Sequence, residues 1–261
     1  MTADIIDGLK AIVADPAGAV IGLDFDGTLS PIVADPAAAR IAPGGTEVLT
    51  RLGGLIGSLV IVTGRPAAIA VEYGSLAAVP GLVVLGHYGL ERWEAGEMTA
   101  PPVHPGLAEA RAGLERLAAG LDGVIVEDKE RSVAVHTRQA ADPWATLEAL
   151  RAPVATLAAG AGLTVEPGKL VLELRPPGID KGVALDAFLR ERAARSVLFA
   201  GDDLGDLPAF AAVRASGLPG VTVFSGSPEI EVRADLVVEG PPGVLELLGS
   251  ISDAIERGTP G

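Results

Sequence analysis

The chain has 261 residues, 49% apolar and 21% charged, which is long enough and apolar enough to bury a large core. Its 34 acidic residues outnumber its 20 basic ones, and the formal net charge of −14 argues against nucleic acid or an anionic membrane surface as a partner. There is no cysteine, which excludes disulfides, zinc–thiolate sites and thiol nucleophiles.

The charge of the amino-terminal segment and the hydropathy of the sequence suggest a cellular location. The amino terminus is acidic where a secretory signal would be basic, and no apolar run approaches the ~20 residues of a membrane span. We therefore expect a cytoplasmic protein with no membrane partner. Disorder is expected only at the two ends, with a loop at 240–243 and a tail at 258–261, where glycine and proline recur.

Short apolar segments alternate with helical ones along most of the chain. Strands are predicted at 19–24, 59–63, 82–85, 196–200, 221–224 and 235–238. Helices are predicted at 46–52, 66–73, 181–193 and 207–215. Because strands that are apolar on both faces and alternate with helices form covered parallel sheets, we predict a Rossmann-like α/β core.

The middle of the chain has a different pattern. Apolar and polar residues alternate over 124–137 and 164–175, which predicts antiparallel hairpins, and helices are predicted at 107–119 and 144–159. We infer an α+β module over residues 105–177, inserted into a core made of residues 1–104 and 178–261. Prolines at 101, 102, 105, 176 and 177 suit the two connections.

The first chemical motif is the hexapeptide DFDGTL, which follows the first predicted strand. Ligands of an open parallel sheet bind beyond the carboxyl ends of its strands, where this motif places the carboxylates of Asp24 and Asp26. A hard divalent cation such as Mg²⁺ would relieve their repulsion. Gly27 permits a tight turn, and Thr28 offers a hydroxyl and an amide to phosphate. An Asp-Gly turn with two solvated acids is the structural alternative.

A second acidic motif, GDDLGD at 201–206, follows another predicted strand. Two acidic strand tips that face one crevice form a metal site, which would bring Asp202 towards the first motif. The alternative is an acidic loop that caps the helix predicted at 207–215, because Asp206 suits an N-cap position.

A phosphate ester is itself anionic, so a site for it needs local positive charge against the field of the whole chain. Lys181 lies at the start of a predicted helix, where anions are also attracted. Thr63 and the amide of Gly64, at the tip of the strand predicted at 59–63, can hydrogen-bond phosphate. A surface lysine and a simple helix cap are the alternatives.

These four motifs, in this order, resemble those of the haloacid dehalogenase superfamily. The resemblance implies that Asp24 attacks phosphorus and that Asp26 acts as general acid and base. It implies these further roles: Mg²⁺ binding by Asp24, Asp26 and Asp202, metal support by Asp203 and Asp206, catalysis by Thr63 and Lys181, and phosphate binding by Gly27, Thr28, Gly64 and Arg65.

The inserted module resembles the cap of the sugar-phosphatase branch of that superfamily. Its E-x-K and H-x-R motifs and its GKLVLELRP segment resemble those of the trehalose-6-phosphate phosphatases. The substrate-binding residues that this implies are Glu127, Lys129, His136, Arg138, Glu173 and Arg175. Exposed charges on a half-buried sheet are the alternative.

The segment GHYGLE at 86–91 resembles the G-x-H-G-x-E segment of the same family. Tyr88 stands where the family has histidine, and His87 lies one position earlier, so His87, Tyr88 and Glu91 are further candidates for substrate contact. Gly205 and residues 207–209 also depart from the family pattern, although Asp206 is retained.

The resemblance therefore implies hydrolysis of trehalose 6-phosphate, a small-molecule substrate, with a functional link to a trehalose-6-phosphate synthase. Three alternatives stay open. They are a phosphatase for another sugar or glycosyl phosphate, such as sucrose phosphate or glucosyl-3-phosphoglycerate, a phosphotransferase or mutase, and a non-catalytic module that binds sugar phosphates.

Overall fold

The computed structural model describes residues 2–33, 35–226 and 233–258. The chain folds as two compact units, a larger one formed by Met1–Ala100 and Asp180–Gly261 and a smaller one formed by Pro101–Ile179. The module that the sequence predicts over residues 105–177 lies inside the range of the smaller unit. Its role as a cap stays a prediction.

The described part of the chain contains twelve strands and eight α-helices. The strands are β1 (Ala19–Leu23), β2 (Ser58–Val62), β3 (Leu82–Gly86), β4 (Glu91–Glu94), β5 (Glu97–Thr99), β6 (Ile125–Asp128), β7 (Val133–His136), β8 (Thr164–Gly168), β9 (Val171–Arg175), β10 (Ser196–Gly201), β11 (Gly220–Ser225) and β12 (Leu236–Val238). The helices are α1 (Thr2–Ala14), α2 (Gly45–Gly53), α3 (Ala67–Gly74), α4 (Gly106–Ala118), α5 (Pro143–Gly160), α6 (Lys181–Glu191), α7 (Leu207–Ala215) and α8 (Gly240–Gly258).

The larger unit is built on an eight-stranded sheet with the order β12-β11-β10-β1-β2-β3-β4-β5. The six strands from β12 to β3 are parallel, which confirms the predicted parallel α/β core. The strands β4 and β5 extend the sheet in the antiparallel sense and were not predicted. Their sequence, which begins ERWE, is short and charged, so the apolar-run criterion passes over it.

Helices cover both faces of this sheet. Alternate side chains of each strand point to opposite faces, so each strand contributes to a core on either side. In β1, Ile21 and Leu23 pack in the core beneath α1, α2 and α8. Val20 instead packs in a second core beneath α6 and α7. The central strands are therefore buried on both sides, and the acidic motifs follow the carboxyl ends of two of them. Among the described residues, no helix is both long and apolar enough to span a bilayer.

Two helices correct the expectations for the chain ends. The helix α8 begins at Gly240, where a loop was expected, because Pro241 and Pro242 occupy a first turn that needs no N–H donors from them. Val244, Leu248 and other apolar residues then recur at helical spacing and are buried. The helix continues to Gly258, and the rest of the expected tail, residues 259–261, lies outside the described residues. At the other end, where disorder was expected, α1 is a helix that buries Ile12.

The smaller unit contains the two predicted hairpins. Its four strands form an antiparallel sheet in the order β6-β7-β9-β8. Val133, Val135, Leu172 and Leu174 point to one face, where they form a core with apolar residues of α4 and α5. The polar residues of the same strands therefore point to the opposite face.

Candidate active site

The two acidic motifs are brought together by the central strands of the larger unit. The strands β1 and β10 are parallel neighbours, and Leu23 pairs with Ala200 close to their carboxyl ends. The Asp24 N–H donates to the carbonyl of Ala200 over 2.8 Å, which extends the pairing by one step. Asp24 and Asp202 therefore follow adjacent strand tips, as the two motifs predict.

Three carboxylates form a tight cluster at these tips. One oxygen each from Asp24, Asp202 and Asp206 lies within 4.8 Å of the other two. Burial raises the pKa of the Asp24 carboxyl well above its usual range. Burial, together with the charges of Asp203 and Asp206, also raises the pKa of Asp202 to about 7. The cluster thus holds more negative charge than its surroundings stabilise, and it could bind a metal ion.

Lys181 provides the positive charge that the sequence analysis required. Its Nζ lies 2.7 Å from Asp24 Oδ1 and 2.8 Å from Asp206 Oδ1, and the residue is buried. Burial acts to lower the lysine pKa, but the two carboxylates outweigh it and raise that pKa above its ordinary value. Lys181 begins α6, whose N-cap residue Asp180 accepts a hydrogen bond from the Val183 N–H over 2.8 Å. The ammonium group is therefore charged and held in place.

Asp206 organises the loop that presents Asp202. Its Oδ2 accepts hydrogen bonds from the N–H groups of Asp202 and Asp203, over 2.9 and 3.1 Å. Asp203 in turn accepts from the Gly205 N–H over 2.8 Å. A side chain at Gly201 would meet Asp206, since an added Cβ would lie 2.2 Å from its Cγ. This geometry suits the supporting role that the sequence predicts for Asp203 and Asp206.

The turn after Asp24 leaves room and polar groups beside the cluster. Gly27 has φ of +74°, and an added Cβ there would lie 2.0 Å from Asp202 Oδ2. The Gly27 carbonyl accepts a hydrogen bond from Ser225 Oγ over 2.7 Å. Thr28 is fully buried, and its Oγ1 has no hydrogen-bond partner in the described part of the chain. A buried hydroxyl without a partner is available to hydrogen-bond a ligand.

Asp26 has a different environment from Asp24. Arg65 makes a bidentate contact with its carboxylate, with Nε 2.7 Å from Oδ2 and Nη2 2.7 Å from Oδ1. The hydrogen bonds to Asp26 raise the pKa of the Arg65 guanidinium. The Arg65–Asp26 contact therefore links the second motif to the first. Within the second motif, the Arg65 N–H donates to Thr63 Oγ1 over 3.1 Å. Asp26 was predicted as a metal ligand, and its side chain is not part of the carboxylate cluster.

The segment after β3 lies against the second motif. Tyr88 has φ of +59°, and an added Cβ at Gly64 would lie 2.7 Å from its hydroxyl oxygen. His87 also has a positive φ, of 47°. Glu91 Oε2 accepts a hydrogen bond from the Ala67 N–H over 3.0 Å and so caps the start of α3. This structural role of Glu91 was not predicted, because the capping residue is distant in sequence from the helix.

Most of the predicted cap residues lie together on the helix-free face of the smaller unit. Glu127, Ala134, Glu173 and Glu166 pair in one row across the four strands, so they share that face. Lys129 Nζ lies 3.1 Å from Glu173 Oε2 and 4.0 Å from Glu127 Oε2.

His136 and Ser132 complete this network. His136 Nε2 lies 2.8 Å from Glu127 Oε2, and this contact lowers the pKa of the glutamate. Ser132 Oγ donates to Glu173 Oε1 over 2.5 Å. Arg175 pairs with Glu166, and Arg138 is exposed beyond β7. Ser132 and Glu166 were not singled out from the sequence, although their even spacing from His136 and from Thr164 places them on the polar face.

Comparison with known proteins gives one consistent family. The sequence profile of the trehalose-phosphatase family matches residues 22–241. A trehalose-phosphate phosphatase of Mycobacterium tuberculosis is 34% identical over 259 residues, which cover 93% of this chain and 62% of that protein. An uncharacterised glycosyl hydrolase of the same organism is 34% identical over 258 residues, 94% of this chain and 19% of that protein. The chain thus spans less than two thirds of the length of either relative.

A solved structure shows the same fold. The trehalose-6-phosphate phosphatase of Aspergillus fumigatus superimposes with a TM-score of 0.75 at 23% identity, over 97% of this chain and 98% of that one. The shared fold includes both units of the chain.

Proposed function

The chain belongs to the trehalose-phosphatase family, and on that premise we propose that it hydrolyses trehalose 6-phosphate to trehalose and inorganic phosphate. The observation that supports the activity most strongly is the buried contact of Lys181 with Asp24, beside the carboxylates of Asp202 and Asp206. A nucleophilic carboxylate needs neighbouring positive charge to approach an anionic phosphate ester.

In the first step, a carboxylate oxygen of Asp24 attacks phosphorus in line with the ester oxygen of the sugar. The P–O bond to the sugar breaks, its electron pair goes to the ester oxygen, and that oxygen takes a proton from the carboxylic acid of Asp26. The products of this step are the free sugar and an aspartyl-phosphate at Asp24. Lys181 Nζ, which lies 2.7 Å from Asp24, is placed to stabilise the charge on the phosphoryl oxygens.

In the second step, the Asp26 carboxylate takes a proton from a water molecule whose oxygen attacks the phosphorus of the aspartyl-phosphate. The P–O bond to Asp24 breaks and its electron pair returns to the Asp24 carboxylate. Inorganic phosphate leaves, and Asp26 is again protonated for the next turnover. The amide of Gly64 and the hydroxyls of Thr28 and Thr63 are the proposed phosphate contacts at this stage.

Mg²⁺ is the proposed cofactor. The carboxylates of Asp24, Asp202 and Asp206 form an oxygen site of the kind that hard divalent cations occupy. The Thr28 hydroxyl, which has no hydrogen-bond partner among the described residues, lies in the turn that follows Asp24. Asp24 and Asp202 supply the carboxylate ligands in this proposal, and the carboxylate of Asp26, which Arg65 engages, serves proton transfer. When bound, the cation would neutralise charge on the phosphoryl group.

We further propose that the charged face of the smaller unit recognises the sugar. Glu127, Lys129, His136 and Glu173 form one connected network there. Carboxylates and a lysine hold hydroxyl groups through charge-assisted hydrogen bonds, which suits a disaccharide. Arg138 and Arg175 remain proposed contributors. If so, Glu173→Gln should raise the KM for trehalose 6-phosphate by roughly tenfold, a change equivalent to about 1.4 kcal/mol, and should change turnover of p-nitrophenyl phosphate little.

The proposed substrate suggests both the enzyme that supplies it and the compartment in which the reaction occurs. A trehalose-6-phosphate synthase is the proposed source of the substrate, and the cytoplasm, where sugar phosphates are made, is the proposed compartment. Sucrose phosphate and glucosyl-3-phosphoglycerate are the alternative substrates, since the same reacting groups would serve them.

Phosphate release with Mg²⁺ from a panel of esters tests the proposal. The panel contains trehalose 6-phosphate, sucrose 6-phosphate, glucosyl-3-phosphoglycerate and glucose 6-phosphate, with Asp24→Asn as the inactive control. Preference for trehalose 6-phosphate is the expected result. Preference for another ester would refute the substrate and keep the chemistry, whereas no release from any ester would favour a non-catalytic binding module.

A further inference from the structure

Arg65 contacts the carboxyl group of Asp26, to which the proposed mechanism assigns proton transfer. Its Nε and Nη2 each lie 2.7 Å from one oxygen of Asp26. A two-point contact between a planar guanidinium and a planar carboxylate fixes both the position and the plane of the carboxylate. The Asp26 side chain is 36% exposed, whereas the Arg65 side chain is only 15% exposed. The carboxyl group is therefore accessible to solvent, and the arginine that fixes it is largely buried.

Arg65 is itself held from several sides. Its Nη1 donates to the Pro36 carbonyl over 2.9 Å, and its backbone N–H donates to Thr63 Oγ1 over 3.1 Å. Its guanidinium carbon also lies 5.6 Å from the ring centres of Phe25 and Tyr73, within the range of cation–π attraction. Because these contacts fix the guanidinium group, the guanidinium group in turn fixes the orientation of the carboxylate that it contacts.

We propose that Arg65 is a positioning residue that sets the orientation of the Asp26 carboxyl group and thereby controls proton delivery to the departing sugar oxygen. This inference rests on the proposed function. Each carboxyl oxygen has two lone-pair sites, and the guanidinium contact uses one on each oxygen. The other site of each oxygen stays available to hold the proton that passes to the leaving group.

The sequence predicts a different role for Arg65, as a ligand of the phosphate. The contacts favour positioning, because three of the five N–H groups of the guanidinium are directed to Asp26 and Pro36. The two roles make different predictions. A phosphate ligand assists every ester equally, whereas a residue that acts through the proton donor assists only those esters whose leaving group needs a proton.

The test compares kcat/KM for trehalose 6-phosphate, whose leaving group is a basic alkoxide, with that for p-nitrophenyl phosphate, whose leaving group departs without protonation. Because kcat/KM covers the steps up to leaving-group departure, it isolates the role of the acid. Positioned general acids contribute roughly 10²–10⁴-fold to rate. Arg65→Ala should therefore lower kcat/KM at least about tenfold more for the sugar ester than for the nitrophenyl ester.

Two further variants make the comparison specific. Asp26→Asn should show the same selective loss, and the Arg65→Ala, Asp26→Asn double variant should be no slower with the sugar ester than Asp26→Asn alone, because both changes remove one function. Arg40→Ala is the matched control. Arg40 stacks on Tyr73, the ring that Arg65 also contacts, at 4.4 Å, and it donates to the carbonyls of Ala37 and Ala39. Its removal should leave the ratio of the two substrates unchanged.

Two results would overturn the inference. Equal losses with the two esters in Arg65→Ala would identify a phosphate ligand, and additive losses in the double variant would show that Arg65 and Asp26 act separately. If Arg65→Ala does not fold, Arg65→Lys supplies the same readout, since lysine keeps the charge and loses the two-point contact. Failure of the proposed function is separable, because it would appear as activity in Asp24→Asn or as loss with both esters in Asp26→Asn.

Discussion

At the scale of single residues, the site is defined by an excess of negative charge. The carboxylates of Asp24, Asp202 and Asp206 cluster together, and the Lys181 ammonium group contacts Asp24 and Asp206. Burial raises the pKa of Asp24 and Asp202. The sequence located the three aspartates through their positions after strand tips, and Lys181 through its position at the start of a predicted helix. It did not reveal that Arg65 grips Asp26, because that contact depends on the relative placement of two loops that are 39 residues apart.

The charge excess has a consequence for stability. The pKa of Asp202 is about 7 in the folded protein, against about 3.9 in an unfolded chain. The folded state thus binds this proton more tightly, so the free energy of unfolding of the metal-free protein should fall as pH rises from about 4 to about 7. Asp202→Asn should therefore unfold at a higher temperature than the parent at pH 8 in EDTA, by a margin that vanishes towards pH 4. A lower melting temperature at pH 8 would contradict this.

Gly27 offers a second residue-scale prediction with a matched control. Gly27→Ala introduces a left-handed alanine, which costs about 1 kcal/mol or slightly more, and places Cβ 2.0 Å from Asp202 Oδ2. Gly44→Ala has the same backbone penalty at φ of +81°, but nothing lies within 4 Å of the added Cβ. Gly27→Ala should lose at least as much stability as Gly44→Ala, because its Cβ also displaces the Asp202 carboxylate, and only Gly27→Ala should need more Mg²⁺ for half-maximal phosphate release. If Gly27→Ala needs no more Mg²⁺ than the parent, Asp202 is not a ligand of the metal.

At the scale of elements, the sequence predicted the central strands and the helices between them. Long apolar runs such as β1 and β10 have a clear pattern because both faces are buried. The strand β4 was missed, because its alternation of charged residues with the buried Trp93 is short. The helix α8 was not predicted, because the two prolines and two glycines at its start indicate a loop and the apolar repeat that follows them was not counted.

The start of α3 depends on β4, which allows an element-scale prediction. Pro66 occupies the N-cap position and has no side-chain acceptor, so Glu91 from β4 supplies the hydrogen bond to the Ala67 N–H. Loss of a helix cap costs about 1 kcal/mol, and leaving a buried donor unpaired adds to this. Glu91→Ala should therefore lower the free energy of unfolding by about 1–3 kcal/mol in a urea titration, and Glu91→Gln, which keeps an acceptor, by less. Equal stability of Glu91→Ala and the parent would show that the cap is unimportant.

At the scale of the whole molecule, the sequence predicted an inserted module because the pattern changes from buried runs to alternating strands. The predicted boundaries, 105 and 177, differ by a few residues from those of the compact unit Pro101–Ile179. Prolines indicate the connecting segments, but they do not indicate which residues of those segments pack against the module. The joint arrangement of the cap residues followed from strand alternation, because Glu127 and Glu173 are aligned in one row. The ion pairs among them required the register, which no local pattern specifies.

The smaller unit should be able to fold alone. It is continuous in sequence, and its sheet and two helices enclose a core of their own. A protein that contains only residues 101–179 should therefore unfold cooperatively, with a stability of roughly 3–5 kcal/mol or less, as is typical of small single cores. Gradual loss of structure on heating, without a transition, would mean that this unit depends on the rest of the chain.

The central claim is that the phosphoryl group passes through Asp24. The most direct measurement is to quench the enzyme during turnover of trehalose 6-phosphate, reduce it with borohydride and sequence the peptides by mass spectrometry, since borohydride converts an aspartyl-phosphate to homoserine. The account predicts homoserine at position 24 and no other modified aspartate, with none in Asp24→Asn. Homoserine at another aspartate, or phosphate release by an Asp24→Asn enzyme, would contradict it.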